Sequence, residues 1–419
     1  MNRHNDYQIK FKSLKEMPLF NLLAQKDRDT LAFLAFQYRL TFQEFKQILE
    51  SARDMEQWKE SSLETWWRTQ FPEKIKTKKQ LMNIIREYMS FLRSKDKEYP
   101  SDFIKSVPPV PVKGVIQNSS EKTIYGPCPV ASPRTVCCNL KTIDVVENCP
   151  FACSYCTIQT FYQHSFIFDQ HLKEKLDNIK LDSGRFYHFG SGQSSDALAW
   201  GNKFGILHTL CNFAEKNPNI LLEFKTKSDN IDYFIKTSVP KNIVISWTLN
   251  TPTIITNEEH HTVSLERRFE AAKKVALRGI KVAFHFHPVV YYKNWQGEYS
   301  LLVRELQKNF VPEDILFISF GSVTLIKPVL EKIRISGYPT KMTQMQMEKD
   351  PHGKFTYPDA VKVKMFRYLY TQFQKWHQKI FFYLCMEKES IWKSVFGFSY
   401  ESNELFEAVF GQNTMVKIN

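Results

Sequence analysis

Glycine and proline are scarce in this sequence, 14 and 19 of 419 residues, too few for a collagenous or low-complexity stretch. No run approaches the roughly 18 to 20 apolar residues needed to span a bilayer. The first residues, MNRHNDYQIKFKSLKEM, lack the apolar run of a secretory signal, so a cytoplasmic protein without membrane contact is expected. No internal repeat is found. Disorder is set aside by composition, since 14% of residues are aromatic and 43% hydrophobic. A chain of this length with that apolar share builds a sizeable core over two or three domains.

What the sequence has in excess is positive charge and clustered thiols. The net charge of +13 favours polyanionic partners, DNA or RNA first, or else marks a Lys-rich solvated surface. There are eight cysteines, and the run from Cys128 to Cys156 holds Cys128, Cys137, Cys138, Cys149, Cys153 and Cys156. In a reducing compartment such crowding reads as metal ligands or catalysts rather than disulfides.

Residues 1–110 read as a helical N-terminal domain. Thr41 and Glu44 form a capping box before Phe45, Ile48 and Leu49. A second helix is expected from Lys79 to Leu92, with Leu81, Ile84, Ile85, Tyr88 and Phe91 on its apolar face. Trp58, Trp66 and Trp67 suit a helix–helix core better than base stacking. SVPPVPVKG (106–114) reads as a stiff linker within a Cys-containing lead-in over 111–140. From about 142 the texture changes to apolar runs alternating with helical periods. TIDVV (142–146), RFYHFG (185–190), ILLEFKT (220–226), NIVISWTL (242–249), KVAFHFHPVV (281–290) and ILFISFG (315–321) are the candidate strands. They predict an α/β fold, an open or partial (β/α)6 barrel over 141–330, closed by a C-terminal α/β extension over 331–419. In such folds chemistry gathers at the carboxyl ends of strands.

Just after the first candidate strand stands Cys149-Pro-Phe-Ala-Cys153-Ser-Tyr-Cys156. Three thiolates in one loop can ligate three irons of a [4Fe–4S] cluster and leave the fourth open to the amino and carboxylate groups of another molecule. A zinc site would need a fourth ligand, for which His164 is the nearest candidate.

The CxxxCxxC spacing with an aromatic before the last cysteine resembles the radical S-adenosylmethionine signature. From about residue 128 to the C-terminus the chain is similar to the spore photoproduct lyase family. The likeness rests on CSYCTIQTFY (153–162), SSD (194–196), TK (226–227), SWTLN (246–250) and TVSLERRFEAAKKVALRGIKVAFHFHPVVYYKNW (262–295). The resemblance implies a [4Fe–4S] cluster on Cys149, Cys153 and Cys156 that cleaves S-adenosylmethionine to a 5′-deoxyadenosyl radical. It also implies cofactor contacts from Ser195, Lys227 and Thr248, with Gly190 and Ser191 presenting backbone to the methionyl amino group. Tyr155 matches a tyrosine implicated in the family's radical relay. The implied substrate is a pyrimidine lesion in DNA and the implied reaction a carbon–carbon lyase step, with flavodoxin or ferredoxin as electron donor.

Two positions depart from the family. A cysteine that donates hydrogen to the substrate radical is replaced by Gln193, and a tyrosine after the third cluster cysteine by Thr157. Cys385, at the end of KIFFYLCME (379–387), is the candidate substitute donor, against a plain buried role; Cys211 reads as core. Cys128, Cys137 and Cys138 read as packing near the barrel mouth or as a second metal site. His285 and His287 share one face of a strand, as core or as substrate contacts. YPDAVKVKMFRYLYTQFQKW (357–376) reads as a basic amphipathic helix that closes the barrel or touches phosphate. Two rival functions stay open: a radical enzyme with a tRNA, peptide or small-molecule substrate, and a nucleic-acid-binding module with a structural cluster.

Overall fold

Helix-capping signals and apolar spacing organise the N-terminal region into six helices: α1 Arg3–Lys15, α2 Pro18–Leu22, α3 Gln25–Tyr38, α4 Phe42–Gln57, α5 Leu63–Arg68 and α6 Lys78–Ser94. The computed structural model describes residues 3–70, 72–104, 114–118, 122–128, 134–161, 165–350 and 352–418. All of the expected linker 106–114 except Gly114, and His164, lie outside those residues.

The capping box of α4 is present: Glu44 N donates to Thr41 Oγ1 at 3.4 Å, and Thr41 N donates to Glu44 Oε2 at 2.7 Å. On α6 the buried face is Leu81, Met82, Ile85, Met89 and Leu92, while Phe91 is exposed. The flexible methionines fill the core and rotate the apolar stripe away from Phe91. Trp58, Trp66 and Trp67 are buried in this helical core. The bundle is fastened to the rest of the chain by buried polar contacts. Asp54 accepts from Arg334 Nε at 2.7 Å and from Nη2 at 3.0 Å. Gln57 Nε2 donates to the Ile333 carbonyl at 2.7 Å, and Trp58 Nε1 to Thr343 Oγ1 at 2.8 Å.

The remainder is built on a sheet of β1 Tyr125–Pro127, β2 Lys141–Ile143, β3 Tyr187–Ser191, β4 Ile220–Thr226, β5 Ile243–Thr248, β6 Lys281–Val289, β7 Ile315–Ser322 and β8 Phe381–Leu384. The strands lie in chain order; β2 to β8 are parallel and β1 is antiparallel to β2. The sheet curls into a partial barrel, and the fold is α/β as its alternating pattern predicts. It exceeds the six units read from sequence because the late strand joins it and because β1 is only three residues long.

The first candidate strand is split. β2 stops at Ile143, and Val146–Glu147 pairs instead with Phe166–Asp169. The break falls at Asp144, whose carboxylate accepts from Ser194 N at 3.0 Å. An isolated bridge from Val136 to Glu387 joins the segment between β1 and β2 to the segment after β8. Below, the terminal helix Asn403–Ile418 seals the barrel floor: Phe410 stacks on His188 at 4.9 Å. A Cβ at Gly411 would lie 2.7 Å from the Phe186 ring, so glycine permits that approach. The expected basic helix is Asp359–Gln372, with Lys362 turned inward onto Glu387 at 2.7 Å rather than outward to phosphate. Among the described residues no helix is long and apolar enough to cross a membrane.

Candidate active site

The loop after β2 is shaped by one short strand pair. Ala152–Cys153 runs antiparallel to Glu259–His260, with Cys153 opposite Glu259. A turn bond from Cys156 N to the Cys153 carbonyl at 3.0 Å folds the third cysteine back toward the second. Cys149 and Cys153 are buried, and Cys156 is half-buried.

Behind the loop, Tyr155 donates its hydroxyl to Glu259 Oε1 at 2.6 Å. Arg268 pairs with Glu259 at 2.7 Å, both side chains fully buried. Ser154 N donates to the Glu258 carbonyl at 2.9 Å, and Ser154 Oγ bonds the Glu258 carboxylate. The same carboxylate accepts from Tyr99 at 2.8 Å, Thr340 Oγ1 at 2.7 Å and Lys341 N at 2.8 Å.

The three thiols suit a polynuclear metal group. Burial first, then Asp196 and Cys156, push Cys149 up to about 12. Burial likewise raises Cys153, against the pull of Lys227. Buried thiols that resist ionisation become ligands when cationic metal reverses that balance. Among the described residues no three His, Cys, Asp or Glu are grouped as a single metal ion requires; His164, the fourth ligand a zinc site would call on, lies outside them.

The residues expected to hold the cofactor line the neighbouring strand ends. Ser191, the last residue of β3, is buried, and its Oγ has no partner among the described residues. Gly190 packs against Leu140, 3.3 Å from where a Cβ would sit. Gly192 has φ +88°, and a Cβ there would come within 2.7 Å of the Ser195 carbonyl, so only glycine fits this turn. Ser195 is buried, and its Oγ accepts from Trp200 Nε1 at 3.3 Å. Lys227 Nζ lies 5.7 Å from the Tyr155 ring centre. Burial works against the Lys227 ammonium, but Cys153 and Glu259 outweigh it and raise its pKa. Thr248 is buried at the end of β5, its carbonyl accepting from Arg268 Nη1 at 2.8 Å. An orphaned hydroxyl, a glycine turn and a held ammonium beside three thiols fit a ligand with carboxylate and amino groups.

Cys385 is not part of that group. It follows β8, its N–H donating to the Phe320 carbonyl at 2.8 Å, and lies within electrostatic range of Cys128, Cys137 and Lys225. The hydrogen bond with Cys138 lowers the pKa of the Cys137 thiol, and the Cys137 N–H donates to Asn403 at 2.8 Å. Cys211 is buried in the helix Ile206–Lys216. His285 and His287 both point into the barrel, where His285 bonds Glu223 at 2.5 Å and His287 bonds Lys225 at 3.1 Å.

Sequence reasoning passed over Asp196, although it stands inside the SSD block. Asp196 Oδ1 accepts from Thr226 Oγ1 at 2.7 Å and from Ala199 N at 2.9 Å, and Oδ2 accepts from Lys227 N at 2.7 Å. It thus ties the SSD turn to the TK corner. Glu258, Glu259 and Arg268 were missed as well; the signal available was a pair of acids ending a helix next to an apolar strand.

A family model described as spore photoproduct lyase matches residues 139–387, more than half of the chain, including Cys149, Cys153, Cys156, Ser195, Lys227 and Thr248. The chain belongs to that family of radical S-adenosylmethionine enzymes. The spore photoproduct lyase of Clostridium acetobutylicum is 26% identical over 228 residues, 51% of this chain and 66% of that protein. The spore photoproduct lyase of Bacillus subtilis is 25% identical over 221 residues, 49% of this chain and 63% of that protein. The match thus spans just under two thirds of each relative. A solved spore photoproduct lyase complexed with dinucleoside spore photoproduct superposes with a TM-score of 0.55 at 17% identity, over 64% of this chain and 82% of that one. A variant with bound AdoMet and the same dinucleoside gives 0.54 at 18% identity over the same shares. These structures share the spore photoproduct lyase fold with this chain. The helical region α1–α6 lies outside the matched family segment.

Proposed function

We propose that this protein is a radical S-adenosylmethionine enzyme that repairs a cross-linked pyrimidine lesion in DNA by a carbon–carbon lyase step. The observation that carries the reading is the cysteine loop: three thiols after β2 of a family-matched barrel, with Lys227 within electrostatic range of Cys153 and Asp196, beside the glycine turn, within that of Cys149. Held by Cys149, Cys153 and Cys156, a [4Fe–4S] cluster with one open iron would, with S-adenosylmethionine, supply a 5′-deoxyadenosyl radical for abstracting a hydrogen atom from the substrate.

The chain's own residues do the rest. Cys149, Cys153 and Cys156 ligate iron. Lys227 pairs the methionyl carboxylate, and the Gly190–Gly192 turn gives backbone and the Ser191 hydroxyl to the amino group. Ser195 and Thr248 serve ribose or carboxylate oxygens. Tyr155, fixed by Glu259, walls the site beside Lys227, and its match in sequence to the family's relay tyrosine supports the same role here. With Gln193 unable to give a hydrogen atom, Cys385 gives one from its S–H bond to the substrate radical and, left as a thiyl, regains an electron from the flavodoxin or ferredoxin reductant and a proton. The +13 charge draws the DNA backbone, and a weakly stacked lesion is extruded into the mouth at low cost. A cytoplasmic location with flavodoxin or ferredoxin as reductant completes the reading. Gln193 also favours a second reading, the same radical chemistry on another substrate such as a modified tRNA base.

The test is anaerobic turnover of the reconstituted, dithionite-reduced protein with and without UV-irradiated DNA. Formation of 5′-deoxyadenosine together with restored thymine is expected. Nucleoside formation with untouched DNA moves the second reading forward, and no nucleoside at all refutes both. Lys227→Met should raise the KM for S-adenosylmethionine about 10- to 100-fold, the worth of one charge-assisted bond; an unchanged KM removes Lys227 from the cofactor.

A further inference from the structure

Along β4 and the residue after it, alternate side chains turn into the barrel as a ladder of Glu223, Lys225 and Lys227. Lys227 stands at the level of the cysteine loop, 5.7 Å from the Tyr155 ring centre. Lys225 comes one step below it, about 6.6 Å down the strand, and Glu223 one step further. The proposed cofactor contacts use Lys227 and leave Lys225 without a role.

The lower part of the lumen is closed. Glu223 is buried and accepts from His285 Nε2 at 2.5 Å and from His188 Nε2 at 2.8 Å, and Phe410 covers His188 from beneath. Ser319 Oγ bonds His285 Nδ1 at 2.6 Å and His287 Nε2 at 2.9 Å. His287 Nδ1 in turn bonds Lys225 Nζ at 3.1 Å. His285 and Ser319 are buried like Glu223, whereas Lys225 and His287 are half-buried. Lys225 and His287 are therefore the floor of the open lumen, beneath the cysteine loop.

Donor chemistry decides what that floor offers. An ammonium only donates, so His287 Nδ1 accepts from Lys225 and its Nε2–H donates to Ser319. The hydroxyl donates on to His285 Nδ1, and His285 Nε2–H donates to Glu223, which ends the chain on a carboxylate. Both His287 nitrogens are spent, and neither is offered to a ligand. Lys225 spends one of three N–H groups on His287, and among the described residues its Nζ has no carboxylate partner. Two donors remain on a cation aimed from below, a set that fits an acceptor oxygen. Burial lowers the Lys225 pKa and Glu223 opposes the fall; an oxygen brought against the ammonium favours the charged form as well.

We infer that Lys225 is a substrate-binding residue on the lumen floor: its two remaining N–H groups hold an oxygen of the lesion, a pyrimidine carbonyl or a phosphodiester oxygen. This role rests on the repair reading above and adds to it the contact that sets how deep the lesion enters. The chain through His287 and Ser319 keeps the ammonium pointed at that oxygen.

The experiment is equilibrium dialysis against the reconstituted, unreduced protein with S-adenosylmethionine present, so that no turnover disturbs binding. Two probes are compared: dinucleoside spore photoproduct, which has no phosphate, and the corresponding dinucleotide, which has one. Lys225→Met is expected to weaken lesion binding about 10- to 100-fold, the worth of one charge-assisted bond, with the Kd for S-adenosylmethionine unchanged. A loss with both probes assigns the bond to a pyrimidine carbonyl, and a loss with the dinucleotide alone assigns it to phosphate. Lys225→Gln, which keeps a donor without the charge, should lose less. Equal lesion binding by the native protein and Lys225→Met overturns the inference and leaves the repair reading standing. A matching loss of affinity for S-adenosylmethionine overturns it too, because the substitution then disturbs the whole site. Buried Cys211 reports folding: if iodoacetamide labels it in Lys225→Met, Lys225→Gln decides by the same rule. A native protein that binds neither probe removes the substrate, and the repair reading falls together with the inference.

Discussion

Cys153→Ala, reconstituted with iron and sulfide, should form no 5′-deoxyadenosine above a protein-free control. Cys153 is the most buried of the three thiols, and it sits in the strand pair with Glu259 and within electrostatic range of Lys227. Removing it leaves two thiols for three irons, and a cubane held at two corners has no defined open site. The methyl group also leaves the Lys227 ammonium buried beside one charge fewer. Iron content should fall with activity, and Cys211→Ala, a core substitution, should lose neither. A Cys153→Ala protein that keeps its iron and its turnover would place the cluster elsewhere, with Cys128, Cys137 and Cys138 the thiols to examine.

Arg268→Met should destabilise the protein by about 3–5 kcal/mol, measured by denaturant unfolding of the metal-free chain. Arg268 and Glu259 form a pair with no solvent exposure on either side. Arg268 also donates to the Val263 carbonyl at 3.0 Å, the Thr248 carbonyl at 2.8 Å and Thr262 Oγ1 at 2.7 Å. Removing the guanidinium strands the Glu259 carboxylate in the interior and frees two carbonyls. Replacing both partners, Arg268→Met with Glu259→Leu, should recover part of the loss, because the uncompensated charge disappears with its mate. A loss under 1 kcal/mol in the single variant would mean that water reaches the pair.

The alternation of apolar runs and helical periods made the barrel legible, since strands covered on both faces read as β-branched stretches. The cysteine loop proposed to hold the cluster stands out because its three cysteines are local in sequence. β1 was not, being a three-residue edge strand with proline at its end. Nor was the break at Asp144, where a side chain bond to Ser194 N interrupts an apolar run that pattern alone would continue. Asp196 shows the limit most clearly: its neighbour Ser195 carried the motif, but the role of Asp196 depends on Thr226 and Lys227 arriving from another strand. Polar residues at lumen positions, such as Glu223 and Ser319, likewise look like flaws in hydrophobic strands until their partners are known.

The Glu258 hub bears on when the site can form during synthesis. Ser154 and its carboxylate partner are 104 residues apart, Tyr99 and that carboxylate 159, and Thr340 another 82 beyond it. Contacts of such separation are closed late, after the loop entropy between them has been overcome. The cysteines emerge together from the ribosome, yet the residue that fixes their loop waits for Lys341 to follow. Iron therefore meets a shaped pocket only near the end of folding, and a chain stalled before that point offers three mobile thiols instead of a site.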